Sequence, residues 1–119
     1  MKFLTLLDRE FSSSSSDTPE FINFVKVFKK EITWLFKPYS SKINFSKGHF
    51  EISGFVQLLD DRIFYFSVGD IRRDKNSMLV RTAKAFKDYT GGMNNWVTLN
   101  RGELCFKEQL FSLLKLDNN

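Results

Sequence analysis

The spacing of apolar residues changes once along this chain, and that change limits the fold more than any composition figure. Phe21, Phe24, Val25, Phe28, Ile32, Leu35 and Phe36 recur at intervals of three and four, while Asn23, Lys26, Lys30, Thr33 and Lys37 trace the opposite side. That is the repeat of an amphipathic helix. Its start is marked by Thr18 as N-cap, Pro19 in the first helical position and Glu20 in the first turn, where a negative charge suits the helix dipole. Pro38 stops it. From Ile43 to Gly69 the repeat falls to two and the residues become β-branched and aromatic, as in half-buried strands.

Within that region the alternation sets a register condition. Ile52, Val56 and Leu58 form one apolar row, and Phe64, Phe66 and Val68 form another. Both face one core only if opposed residue numbers sum to an even value, such as 58 with 64 or 56 with 66. A two-residue Asp60-Asp61 turn is thereby excluded, and a three-residue loop with a bulge is favoured. The other face then carries His49, Glu51, Ser53, Phe55, Gln57, Tyr65 and Ser67. Phe55 and Tyr65 are either open to stack on bases or covered by the amino-terminal arm or the carboxy-terminal helix, and the second is preferred because apolar surface tends to be buried.

A short strand near Ile43 to Phe45 precedes the hairpin, and a charged loop, Gly69 to Ser77, follows it. Met78 to Ala83 reads as a strand in preference to a helix over Leu79 to Tyr89. Thr90-Gly91-Gly92 must turn, since adjacent glycines permit backbone angles closed to other residues. Trp96 to Leu99 reads as a last strand. Asn100 and Glu103 have capping-box spacing, ahead of a helix with Phe106, Leu110, Leu113 and Leu114 as its apolar stripe and a frayed end at Asp117-Asn118-Asn119. Met1 to Phe11 forms a short strand or docking arm, and Ser12 to Ser16 a flexible tether.

The expected organisation is therefore an arm and tether over residues 1–16 and a single α+β domain over 17–119. It has an amino-terminal amphipathic helix, a mainly antiparallel sheet of three to five strands and a carboxy-terminal helix. Fourteen phenylalanines in 119 residues supply a thick core without a staple. Cys105 is the lone cysteine, so no disulfide forms within the chain, and it reads as a small buried hydrophobe. The opening MKFLTLL is too short for a signal peptide or a membrane span. A cytoplasmic protein without membrane contact is expected.

Charge is unevenly placed. Between Arg62 and Arg101 there are eight basic residues and three acidic ones, a local excess of +5 in a chain of net charge +4, so the remainder carries −1. A localised anionic partner requires that kind of concentration, although a solvated basic edge would look the same. His49 and Glu51 form only a same-face pair, short of a metal site. Asp70, Asp74 or Glu51 could serve a metal-dependent nuclease, but acidic residues in turns are more often local hydrogen-bonders. Gly91-Gly92 lacks the phosphate-loop setting, and no base is placed beside Cys105 or a serine. No metal, cofactor or catalytic residue is assigned, and the chain is read as a non-enzyme. What remains is binding: Arg72, Arg73, Lys75, Arg81, Lys84 and Lys87 as phosphate contacts, with Tyr89, Trp96 and Tyr65 as flat faces for bases of RNA or single-stranded DNA.

The segments Leu79-Val80-Arg81-Thr82-Ala83-Lys84, Lys87-Asp88-Tyr89-Thr90-Gly91-Gly92 and Asn94-Asn95, with Tyr65-Phe66-Ser67 and Asp70-Ile71-Arg72, resemble small uncharacterised proteins of bacterial phages and mobile elements. The resemblance spans about a third of the chain. It implies a phage setting in a host bacterial cell, in which small non-enzymatic proteins often block host defence. The function expected on this basis is inhibition of a host RNA-guided defence nuclease, of the anti-CRISPR type, by binding RNA or an RNA-protein groove. The alternative is a single-stranded nucleic-acid-binding accessory protein for replication or transfer of the element.

Overall fold

In the computed structural model, which describes residues 1–8, 11 and 17–116, the helix bracketed by the two prolines forms where its spacing requires. Thr18 takes extended angles as N-cap, its carbonyl accepts the Ile22 N–H at 3.0 Å, and Pro19 opens the helix. The helix ends at Phe36, ahead of Pro38, which lacks an N–H and restricts the residue before it. Among the described residues it is the second of three helices, α1 (Lys2–Leu6), α2 (Pro19–Phe36) and α3 (Gly102–Leu114). The tether expected over 12–16 and the fraying expected over 117–119 lie outside the described residues.

Five strands follow α2: β1 (Ser40–Gly48), β2 (Glu51–Leu58), β3 (Ile63–Val68), β4 (Ser77–Ala83) and β5 (Asn95–Thr98). Each pairs antiparallel with the next, so the sheet is a meander in the order β1-β2-β3-β4-β5. The α+β reading holds. Ile52 opposes Val68 and Val56 opposes Phe64, pairs whose numbers have even sums, two lower than in the 58-with-64 alignment. Leu58 and Arg62 close a three-residue loop through the Leu58 N–H, and Asp61 adopts the left-handed angle (φ 72°) that such a loop needs. Ile52, Val56, Leu58, Phe64, Phe66, Val68, Met78, Val80 and Val97 are consequently all buried in one core.

The helices cover that face of the sheet. Phe28 of α2 lies 6.2 Å from the Phe45 ring, 6.3 Å from Phe66 and 5.0 Å from Phe3, while Phe3 reaches Phe106 of α3 at 5.6 Å. Phe66 is admitted by Gly54, where an added Cβ would stand 2.6 Å from the ring tip. Burying rings of this size against one another drives the layers together, and edge-to-face pairs add to the area term.

Of the two expectations for the amino-terminal segment, docking holds and the strand does not. Lys2–Leu6 is a helix, not a strand, and Phe3, Leu4, Leu6, Leu7 and Phe11 belong to the common core. So short a helix cannot stabilise itself. It is held by Glu31 of α2, whose carboxylate accepts the Lys2 N–H at 2.8 Å and the Phe3 N–H at 2.6 Å, and by an ion pair between the Met1 amino group and Glu103 of α3. That engagement overturns the capping box. Arg101 is the N-cap of α3, no side chain caps it, and Glu103 is drawn instead to Met1 and Lys107. At the other end of α3, Arg62 donates to the Leu114 carbonyl at 2.7 Å. Cys105 is half-buried rather than enclosed.

Phe28→Ala should lower the unfolding free energy by roughly 3–5 kcal/mol, read from denaturant midpoints, because the cavity would open where α1, α2 and the sheet meet. Glu31→Ala should cost about 1–3 kcal/mol by leaving two α1 donors without their acceptor. Hydrogen exchange in that variant should quicken at Lys2 and Phe3 before it does in the sheet.

Candidate nucleic-acid interface

Strand alternation sends every second residue away from the helices. Two cross-strand rows result on the outer face: Phe55, Tyr65 and Arg81 in one, and Ser53, Ser67, Leu79 and Trp96 in the other. Among the described residues, the first row is covered by neither the arm nor the carboxy-terminal helix. The covering element is the loop between β4 and β5, which folds back over β2 and β3. Phe86 and Tyr89 lie 5.8 and 5.3 Å from Phe55, and Tyr89 lies 5.5 Å from Tyr65. Phe55 is left only 3 % exposed and Tyr65 half-buried.

The loop folds back because its middle is tied. The Asp88 carboxylate accepts the Lys84 N–H at 3.1 Å, the Thr90 N–H at 3.0 Å and the Thr90 hydroxyl at 2.8 Å. These bonds, led by the Thr90 hydroxyl, hold its acid below the ordinary carboxylate range. Gly92, at φ 78°, then passes so close to β4 that a Cβ would meet the Arg81 Cγ at 2.7 Å. Cations close the aromatic cluster at both ends: the Lys42 ammonium lies 4.6 Å from the Phe86 ring centre and the Arg81 guanidinium 5.0 Å from that of Tyr65. Each contact is worth about 0.5–1 kcal/mol at such exposed sites.

The second row remains open. Trp96 is 62 % exposed beside its cross-strand partner Leu79, and with Ser67 it lines a cleft of about 440 Å³. Arg73, Asp74 and Asn76 of the β3–β4 loop line the same cleft. This loop is pinned by Ile71, which is fully buried and donates its N–H to the Phe50 carbonyl at 2.9 Å.

The eight residues expected to bind therefore separate. Arg81 and Tyr89 meet through Tyr65, and Arg73 and Trp96 line one cleft. Arg81 lies two residues along β4 from the partner of Trp96, so these four form one strip across the outer face. Lys84 and Lys87 are exposed on the β4–β5 loop at one end of β4, and Lys75 is half-buried on the loop at the other. Arg72 is diverted from the surface. Its guanidinium grips Asp70 through Nε at 3.0 Å and Nη2 at 2.7 Å and stacks 4.2 Å from the centre of the Phe50 ring. That grip holds the Asp70 carboxyl down at about 2, and a carboxylate so engaged is a poor metal ligand. Among the described residues no cluster of three or more His, Cys, Asp or Glu is arranged to hold a metal ion.

Lys42, Phe86 and Leu79 escaped the sequence reading as contributors to this face. Phe86 carried a usable signal, an aromatic between two lysines just beyond a strand. Lys42 and Leu79 depend on cross-strand register. No family model matches the chain, and no curated protein or solved structure matches it.

Because the folded acidity of Asp70 lies below its ordinary value of 3.8, the Arg72 contact adds stability above that pH and loses it as pH falls toward 2. A carboxyl-carbon NMR titration should place the Asp70 midpoint near 2, and Arg72→Gln should return it toward 3.8.

Proposed function

We propose that this chain is a non-catalytic binding protein that holds RNA or single-stranded DNA on the outer face of its sheet. The observation that supports this reading is the strip running from Tyr89 through Tyr65 and Arg81 to Trp96 and Arg73. Single strands need a cationic track for phosphates and exposed π-faces for unstacked bases, and a sheet surface offers both at regular intervals. Trp96 stacks a base; Arg73 and Arg81 take phosphates; Lys75, Lys84 and Lys87 extend the positive field at either end. Tyr65 and Tyr89 offer edges and partial faces because they also brace the loop.

A more particular reading rests on the phage resemblance. The residues that carry it fold into β3, the β3–β4 loop, β4, the β4–β5 loop and the first residue of β5; they include Tyr65, Arg81 and Tyr89 of the strip, while Arg73 and Trp96 lie outside them. In that setting the protein acts in the host cytoplasm and inhibits an RNA-guided defence nuclease by occupying guide RNA or an RNA-protein groove. The accessory protein for element replication or transfer would use the surface on free single strands.

Labelled RNA and single-stranded DNA should bind with affinity that falls with salt, the slope of log K against log salt being about −0.7 for each phosphate contacted. Trp96→Ala should cost roughly 1–3 kcal/mol of binding with little change in melting temperature, since the ring is mostly exposed. Charge reversal at Arg73 and Arg81 together should flatten the salt slope. Absence of binding to either polymer at low salt would remove the single-strand reading. For the inhibitor, adding the protein to a host RNA-guided nuclease should suppress target cleavage, and the Trp96→Ala, Arg73→Glu variant should not.

A further inference from the structure

We propose that the cleft beside Trp96 is a guanine pocket, so that the outer face selects single strands carrying an unpaired guanosine. The inference rests on the single-strand reading above and specifies which base that surface accepts.

The cleft contains a group that a phosphate-binding surface does not need. Asp74 is exposed at its rim, its backbone N–H is used on the Asp70 carbonyl at 2.7 Å, and its carboxylate has no ion-pair or hydrogen-bond partner among the described residues. An ionised carboxylate offers acceptors only and repels phosphate, so beside a stacking tryptophan it suits a base edge with adjacent donors. Guanine alone among the common bases presents two neighbouring N–H donors, the ring imino group and the exocyclic amine. Adenine and cytosine place a ring-nitrogen lone pair beside their amino group, and uracil flanks its one imino group with two carbonyls. Those arrangements set an acceptor against the carboxylate.

The neighbouring residue supplies the other half of the match. The Asn76 Oδ1 accepts from the Asn100 side chain at 3.4 Å, so that contact uses the Asn76 oxygen and leaves its amide NH₂ as a donor. Guanine carries its carbonyl beside the imino group, where such a donor is needed. Arg73, on the same rim, is left for the phosphate, and Trp96 stacks the ring. The cleft volume of about 440 Å³ falls within the range of small-ligand sites, roughly 300–1,000 Å³.

The test compares nucleotides and strands on the full chain. In a Trp34→Phe background, quenching of Trp96 fluorescence is measured with guanosine, inosine and adenosine monophosphates, inosine being guanosine without the exocyclic amine. Guanosine monophosphate should bind most tightly and inosine less so, with adenosine weaker by roughly tenfold or more, the worth of a good bidentate contact. Short oligouridine strands with and without one internal guanosine should show the same preference. Asp74→Asn should abolish the preference while leaving affinity for plain oligouridine equal or higher, because a repulsive charge has been removed. Asp74→Glu should retain part of it.

Strands that bind without base preference, or a preference that survives Asp74→Asn, would overturn the guanine pocket and leave the single-strand surface standing. Failure of every strand and nucleotide to bind would overturn both. Guanosine monophosphate bound while all strands fail would support the pocket and move its ligand to a free nucleotide. Unchanged melting temperatures of the Asp74 variants exclude loss of fold as the cause.

Discussion

The Phe28 ring is the contact on which the remaining architecture depends. It touches Phe3 of α1, Phe24 on its own helix, Phe45 of β1 and Phe66 of β3, so one side chain joins the amino-terminal helix, the long helix and the sheet. Phe3 carries the connection onward to Phe106 of α3. Interiors are packed at crystal density, so a centre of this kind transmits any misfit to all its neighbours. Gly54 shows the tolerance involved: the space that a Cβ would occupy is taken by Phe66. With the three described helices committed to one face, the other face of the sheet is available to the loops.

What the loops do with it divides the outer face by function. Over β2 and β3, Phe86 and Tyr89 turn an apolar pair into a small second core, tied by Asp88 and closed by Lys42 and Arg81. Beside Leu79 and Trp96 the described residues leave a cleft open, and Trp96 remains exposed. The same division separates the arginines. Arg62 ends a helix and Arg72 holds a turn, both using their planar donors on oxygens within the chain. Arg73 lines the open cleft, and Arg81 presents one face to Tyr65 while remaining half-exposed. Of the eight basic residues between Arg62 and Arg101, Arg62 and Arg72 are therefore paired with Asp60 and Asp70 and are not left for a partner.

Much of the frame was legible beforehand. The start of α2 could be placed to the residue and its end to within one, because its prolines and spacing act locally. The even-sum register of β2 with β3 followed from the need to bury two apolar rows at once, and the three-residue turn followed from that register. β4 was separable from a helix, and the Gly91-Gly92 turn has the positive φ angles that its glycines permit. Failures occurred where a local signal met a distant competitor. Asn100 and Glu103 have cap spacing, but the Met1 amino group and Lys107 claim the carboxylate. The first residues looked like an arm because a helix of five residues has no intrinsic stability to display, and its acceptor, Glu31, lies far along the chain.

By itself, then, the sequence determined the element types from α2 onward and the faces that β2 and β3 bury, since these follow from hydrophobic period and turn chemistry within a few residues. It also located the excess positive charge between Arg62 and Arg101. Only the tertiary structure decided which charges are spent internally, which loop covers Phe55, and that Trp96, Arg73 and Asp74 share a cleft. Those outcomes depend on cross-strand register and on partners many residues apart, where one carboxylate or ring has several competitors and packing selects among them.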